Sequence, residues 1–195
     1  VGNGPLMREG QTTEYPLART RSELSRLRVQ ADSLAFDAGV LLDRIGVAEG
    51  WHCLDLGCGV GGIAAIMSQR VGKRGRVVGL DPDAESLGAA KAWADERGLR
   101  NVTFVQGDAF APPLRPERFD LVHMRYVMTT IGRHRELVDA ALRLLRPGGY
   151  LAIQEADASG LACYPPHPAW DRLKALLLGA FERAGGDCFA GRQIY

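Results

Sequence analysis

The sequence predicts an α/β protein whose doubly wound, mostly parallel sheet carries helices on both faces. Three observations predict it. Five short apolar runs alternate with segments of helical spacing, and helices of about 10–15 residues between strands mark βαβ units. The runs are nearly continuous in apolar residues, as strands covered on both faces should be. The first run ends in glycines at 57, 59, 61 and 62, which suits a strand turning sharply into a helix.

At 195 residues the chain has the length of one domain with a single sizeable core. Hydrophobic residues make up 46% and charged residues 24%, as in an ordinary globular domain. The formal net charge of +1 gives no global attraction to nucleic acid or to an anionic membrane. Arginine outnumbers lysine 21 to 3, which we read as GC-rich coding bias and not as a binding surface. No run approaches the roughly 18–20 apolar residues that cross a bilayer. The first fifteen residues lack the apolar centre of a signal peptide. The four cysteines, at 53, 58, 163 and 188, show no paired spacing and read as intracellular thiols, with no metal site. The expected location is the cytoplasm.

Residues 1–17 are polar and carry glycine and proline, the composition of a flexible arm. Residues 18–47 are expected to form a helical lid. Thr20 and Glu23 have capping-box spacing, and Leu24, Leu27, Leu34, Val40, Leu41 and Ile45 continue an apolar stripe, with a break near Asp32 or Gly39. Residues 48–195 form the core. WHCLDL at 51–56 is the first strand, and IAAIMSQRV has helical spacing behind it. RVVGLD at 76–81 is the second strand. A helix over 84–97 follows, with Leu87, Ala90, Trp93 and Ala94 on one face and Gly98 closing it. NVTFVQGD at 101–108 and FDLVHMR at 119–125 are strands three and four. A helix over 134–145 stops at Pro147-Gly148-Gly149, and YLAIQEAD at 150–157 is strand five. A helical insertion then occupies about 165–185. Its helix begins near Pro168 and aligns Trp170, Leu173, Leu176, Leu177 and Phe181.

In parallel sheets of this kind ligands bind beyond the carboxyl ends of the strands. Gly57, Gly59 and Gly62 fit a G-x-G-x-x-G turn between strand and helix, and Asp81 ends the second strand 19 residues after Gly62. By those features alone the site could hold NAD. Three carboxylates change the balance. Asp55 stands two residues before Gly57, where it would repel a pyrophosphate but favour an ammonium or sulfonium. Such a pair at about 4 Å is worth on the order of 4 kcal/mol before desolvation. Asp81 and Asp108 end the neighbouring strands. A cationic amino-acid nucleoside suits that rim better than a dinucleotide.

On DLGCGVGG at 55–62, VVGLDPD at 77–83, VQGDA at 105–109, FDLVHMR at 119–125 and LRPGGYLAIQE at 145–155, the chain resembles the class I S-adenosylmethionine-dependent methyltransferases. The motifs keep the family's order and spacing over about residues 48–157. The resemblance implies a Rossmann-like methyltransferase sheet and S-adenosylmethionine as cofactor. It places Gly57, Gly59 and Gly61 along the methionine part, with Asp55 beneath them. Asp81 takes the ribose hydroxyls and Pro82 packs beside the adenine, whose amine meets Asp108 and Ala109. Arg125 lies near the cofactor's carboxylate or methyl group. Tyr15 and Gln30 close the pocket from the leading segment.

The family usually adds a sixth and a seventh strand, and nine residues after Gly186 are too few for both. Either the C-terminal strands are missing from this chain, which we favour, or strand five ends the sheet as an edge that invites a second copy and a homodimer.

Methyl transfer from a sulfonium is an in-line displacement on an activated carbon, so the protein chiefly has to align the acceptor and exclude water. The expected acceptor is a small molecule, because no basic, aromatic-interleaved stretch offers a nucleic-acid surface. No catalytic group stands out. Glu155 and Asp157 leave strand five at the active rim, and His167 lies in a loop placed to cover the pocket; these are the weak base candidates. His123 reads as a buried imidazole within strand four, and His134 as a helix-start residue. Tyr126, Met128 and Tyr164 read as packing residues before they read as an acceptor pocket. The alternatives are an NAD-dependent oxidoreductase and a non-catalytic cofactor-binding module.

Overall fold

Five parallel strands in the order β3-β2-β1-β4-β5 form the centre of the computed structural model, which describes residues 21–194. The strands are β1 (His52–Leu56), β2 (Arg76–Asp81), β3 (Val102–Gln106), β4 (Phe119–Arg125) and β5 (Leu145–Gln154). The helices are α1 (Arg21–Ser33), α2 (Ala35–Ile45), α3 (Gly62–Val71), α4 (Ala84–Glu96), α5 (Val127–Ile131), α6 (His134–Leu144) and α7 (Trp170–Arg183). The fold is the expected doubly wound sheet. The arm at 1–17, the proposed cap Thr20 and the candidate Tyr15 lie outside the described residues.

Period-two burial sorts the strands' side chains onto two faces. Cys53, Val77, Leu121 and Ala152 pack with Ala38 and Leu42 of α2 and Ile63, Met67 and Val71 of α3. Leu54, Leu56, Val122 and Met124 pack on the other face with Leu137, Ala141 and Leu144 of α6. Burial of Cys53 pushes its thiol up to about 12, so it behaves as a small core hydrophobe. The leading segment is therefore divided. α1 borders the cavity described below, whereas α2 is part of the core. Its most buried residues, Ala38 and Leu42, fall between the positions that the sequence pattern marked. The break comes at Leu34, close to the expected Asp32.

Two elements differ from expectation. β5 begins at Leu145, ahead of Pro147-Gly148-Gly149, with a register shift against β4 between Phe119 and Leu121. β5 is an edge strand among the described residues, and only an edge or a bulge tolerates proline in a ladder. α5 was not expected at all. It follows Tyr126, whose φ of 59° lies in the left-handed region.

Candidate active site

The carboxyl ends of the strands open into a cavity of about 1500 Å³ at the switch between β1 and β4, where the winding of the sheet reverses. Ligand pockets commonly measure about 300–1,000 Å³, so this one has room for two molecules side by side. Leu24, Leu27, Gln30 and Ala31 of α1 form one wall, and Leu177, Leu178 and Phe181 of α7 form another.

The glycine turn is suspended from β2: the N–H groups of Gly57 and Cys58 both donate to the Leu80 carbonyl, at 2.8 and 3.0 Å. Gly57, Gly59 and Gly61 have φ of 77°, 51° and 81°, which L side chains adopt only under strain. Their surroundings differ. A Cβ on Gly57 would lie 2.5 Å from Val127 Cγ2, and one on Gly61 would lie 3.1 Å from Ala90 and 3.2 Å from Phe104. A Cβ on Gly59 would meet nothing within 4 Å. Gly59 thus faces open space, while Gly57 is small for the protein's own packing. Gly61 is not among the residues that line the cavity, whereas Gly62 is.

Asp55 is buried at the floor of the cavity, and its Oδ2 accepts from Ala64 N at 3.1 Å in the first turn of α3, where the helix dipole favours an anion. Asp81 reaches back to the turn: Oδ2 accepts from Gly59 N at 2.9 Å and Oδ1 from Asp83 N at 3.0 Å. Asp83 in turn caps α4 by accepting from Ser86 N. Pro82, Asp108 and Ala109 complete that wall, with Asp108 Oδ1 accepting from Phe110 N at 2.9 Å. Arg125 also lines the cavity. Its Nη1 is buried without a hydrogen-bond partner, and burial pushes the guanidinium below its usual pKa while the charge of Asp55 acts against that shift. Gln30 is on the wall, its Oε1 accepting from Arg26 Nη1 at 2.9 Å. The structure thus brings together the three acidic strand ends, Gly57, Gly59, Pro82, Ala109, Arg125 and Gln30.

The base candidates fare differently. Asp157 is on the cavity wall, but Arg192 holds it at 2.7 Å and, with Ser159 N, keeps its carboxyl far below the usual range. Glu155 does not line the cavity. Its Oε1 accepts from Met128 N at 2.7 Å, and its Oε2 from Thr129 N at 3.1 Å and Thr129 Oγ1 at 2.6 Å. It pins α5, whose Thr129, Thr130 and Ile131 do line the cavity. Burial pushes its carboxyl up, against those donors. Glu155→Gln puts an amide N–H₂ where the backbone N–H groups of Met128 and Thr129 need an acceptor, and is expected to destabilise the fold by about 2 kcal/mol in urea denaturation. His167 is exposed and away from the cavity, its Nδ1 accepting from Ala169 N at 3.1 Å just ahead of α7. The structure does not bring it together with the other candidate residues. Tyr126 reaches the cavity, Met128 is in the core, and Tyr164 is 96% exposed.

Sequence reasoning missed α5 because Val127-Met128-Thr129-Thr130-Ile131 is rich in β-branched residues, which favour strand. With it were missed the Glu155 anchor and Arg133, whose guanidinium lies 3.9 Å above the Phe110 ring on the cavity wall. Glu155 at the end of an apolar run was the available signal.

A glycine turn, acidic strand ends and a parallel sheet wound in this order are the features of one class. The family model described as a methyltransferase domain matches residues 48–177, and the chain belongs to that family. Among curated relatives it is 33% identical over 123 residues to the demethylmenaquinone methyltransferase of Lactococcus lactis, covering 63% of this chain and 49% of that one. It is 35% identical over 112 residues to the 2-phytyl-1,4-naphtoquinone methyltransferase of Thermosynechococcus vestitus, covering 57% and 49%. The chain thus spans about half the length of the curated relatives it matches. Among solved structures, a SAM-dependent methyltransferase from Aquifex aeolicus has the same fold, with a TM-score of 0.67 and 24% identity over 86% of this chain and 89% of that one. An arsenic(III) S-adenosylmethionine methyltransferase from Chlamydomonas reinhardtii gives a TM-score of 0.54 and 29% identity over 72% and 48%. No helix among the described residues is long and apolar enough to cross a membrane.

Proposed function

We propose that this protein transfers a methyl group from S-adenosylmethionine to a small, apolar acceptor. The observation that carries this reading is the division of the cavity. Asp55, Asp81, Asp108 and the open Gly59 line one half, and Leu161, Leu177, Leu178, Phe181 and Ile131 line the other. The residues fit the cofactor. A cationic amino-acid end suits the buried Asp55, a carboxylate suits the unpartnered Arg125 Nη1, and ribose hydroxyls suit Asp81. Ala109, Pro82 and Asp108 form the adenine side, and Gln30 on α1 covers the pocket.

When bound, the cofactor supplies an activated methyl group. The chain's own contribution is alignment and exclusion of water, which can supply up to about 7–11 kcal/mol in favourable cases. Asp157 on the acceptor side is paired with Arg192, and Arg133 beside Phe110 with Glu136, so a neutral apolar acceptor enters at little desolvation cost. The names of the curated relatives point to the naphthoquinone class. Four unpaired cysteines support a cytoplasmic site of action.

The test is incubation with S-adenosylmethionine labelled in its methyl group and a panel of reduced naphthoquinones, followed by extraction into organic solvent. Label in an extracted product supports the reading. Cofactor binding by calorimetry without label in any acceptor favours a binding module, and binding of NADH in its place returns the site to a dehydrogenase.

A further inference from the structure

Beneath the glycine turn, three neighbouring strands contribute polar side chains: Asp55 on β1 and His123 on β4, both buried, and the half-buried Gln154 on β5. Asp55 and His123 are direct cross-strand partners. His123 is 1% exposed, in a sheet whose other buried residues are mostly apolar. A leucine there would fill the space with no polar group to desolvate, so the imidazole calls for a reason.

Its hydrogen-bond chemistry supplies one. Nε2 lies 3.0 Å from Gln154 Oε1, while Nδ1 makes no hydrogen bond within ordinary limits and lies 3.5 Å from Asp55 Oδ1. An amide oxygen only accepts, so in this arrangement Nε2 carries a proton. A neutral ring would then aim the Nδ1 lone pair at the Asp55 carboxylate, which is repulsive. With Asp55 as a carboxylate, two arrangements remove the repulsion. Either both ring nitrogens are protonated, or the Gln154 amide is reversed and donates to Nε2. Nδ1 carries a hydrogen toward Asp55 in both.

We propose that His123 is a positioning residue for the cofactor site: its Nδ1–H holds one oxygen of Asp55 while Ala64 N–H holds the other, fixing the carboxylate that forms the cavity floor. The proposal rests on the cofactor reading above. Arg125 makes the restraint necessary. Its guanidinium feels the charge of Asp55 and has a buried Nη1 without a partner, so a carboxylate free to turn would be drawn toward that cation.

The test compares S-adenosylhomocysteine binding by calorimetry in the wild type, H123N and H123L, with melting temperatures taken without ligand. Asparagine places an amide N–H near the position of Nδ1. H123N is expected to bind within about 3-fold of the wild type and H123L about 10-fold more weakly, whichever variant melts higher. Wild-type affinity in H123L, or equal losses in both variants, overturns the proposal. A long-range ¹H–¹⁵N spectrum of the wild type needs no variant: a proton on Nδ1 of His123 supports the proposal, and a ring protonated on Nε2 alone overturns it. A wild type that binds no S-adenosylhomocysteine at all instead removes the cofactor reading on which this rests.

Discussion

Asp81→Ala is expected to lower affinity for S-adenosylhomocysteine by about 100-fold or more in titration calorimetry. The carboxylate has two tasks. In the proposed function it accepts the ribose hydroxyls, and in the structure it holds Gly59 N at 2.9 Å and Asp83 N at 3.0 Å. A hydrogen bond to a charged group is worth roughly 1.5–3 kcal/mol, and about 1.4 kcal/mol is a factor of ten, so losing two such bonds reaches that loss. Asp81→Asn keeps an acceptor oxygen and should fall between the wild type and Asp81→Ala. Unchanged affinity in Asp81→Ala would place the ribose elsewhere.

Gly59→Val is expected to abolish measurable cofactor binding while the protein still folds. A Cβ at this position meets no protein atom within 4 Å, so the branched side chain occupies cavity space and spares the core. The φ of 51° adds strain of about 1–2 kcal/mol, which should lower the melting temperature without unfolding the sheet. Gly59→Ala carries similar backbone strain with far less bulk, and should lose about as much stability but retain part of the binding. Normal binding by a folded Gly59→Val would show that the open side of the turn is not the pocket. Gly57→Val cannot serve in its place, because its Cβ would strike Val127.

The sheet was legible because each strand carries a mostly apolar run with glycine, proline or a charged residue near its ends. Asp55, Asp81 and Asp108 could be placed on one rim because the end of a parallel strand fixes where the next residue emerges. What could not be read depends on neighbours distant in sequence. Gly57, Gly59 and Gly61 look equivalent in the chain, yet only Val127, Ala90 and Phe104 decide which of them faces open space. Glu155 resembles a rim acid until Met128 and Thr129 are seen to consume its oxygens. Pro147 reads as a stop, but β5 runs through it because an edge strand has an unpaired side. The residues aligned on α7 do not share one environment: Leu173, Leu176 and Leu177 are exposed, while Leu177 and Phe181 border the cavity.

α7 buries none of its residues, whereas the glycine turn and α5 are tied by several hydrogen bonds each. Among the described residues this wall has few buried anchors, and displacing it would take a small fraction of the free energy that holds the strands together. Under the proposed function, bulky guests would be admitted and released on this side without disturbing the glycine cradle. Selectivity among them would then reside in how this wall settles over each guest, and substitutions along α7 could redirect it at little cost to folding.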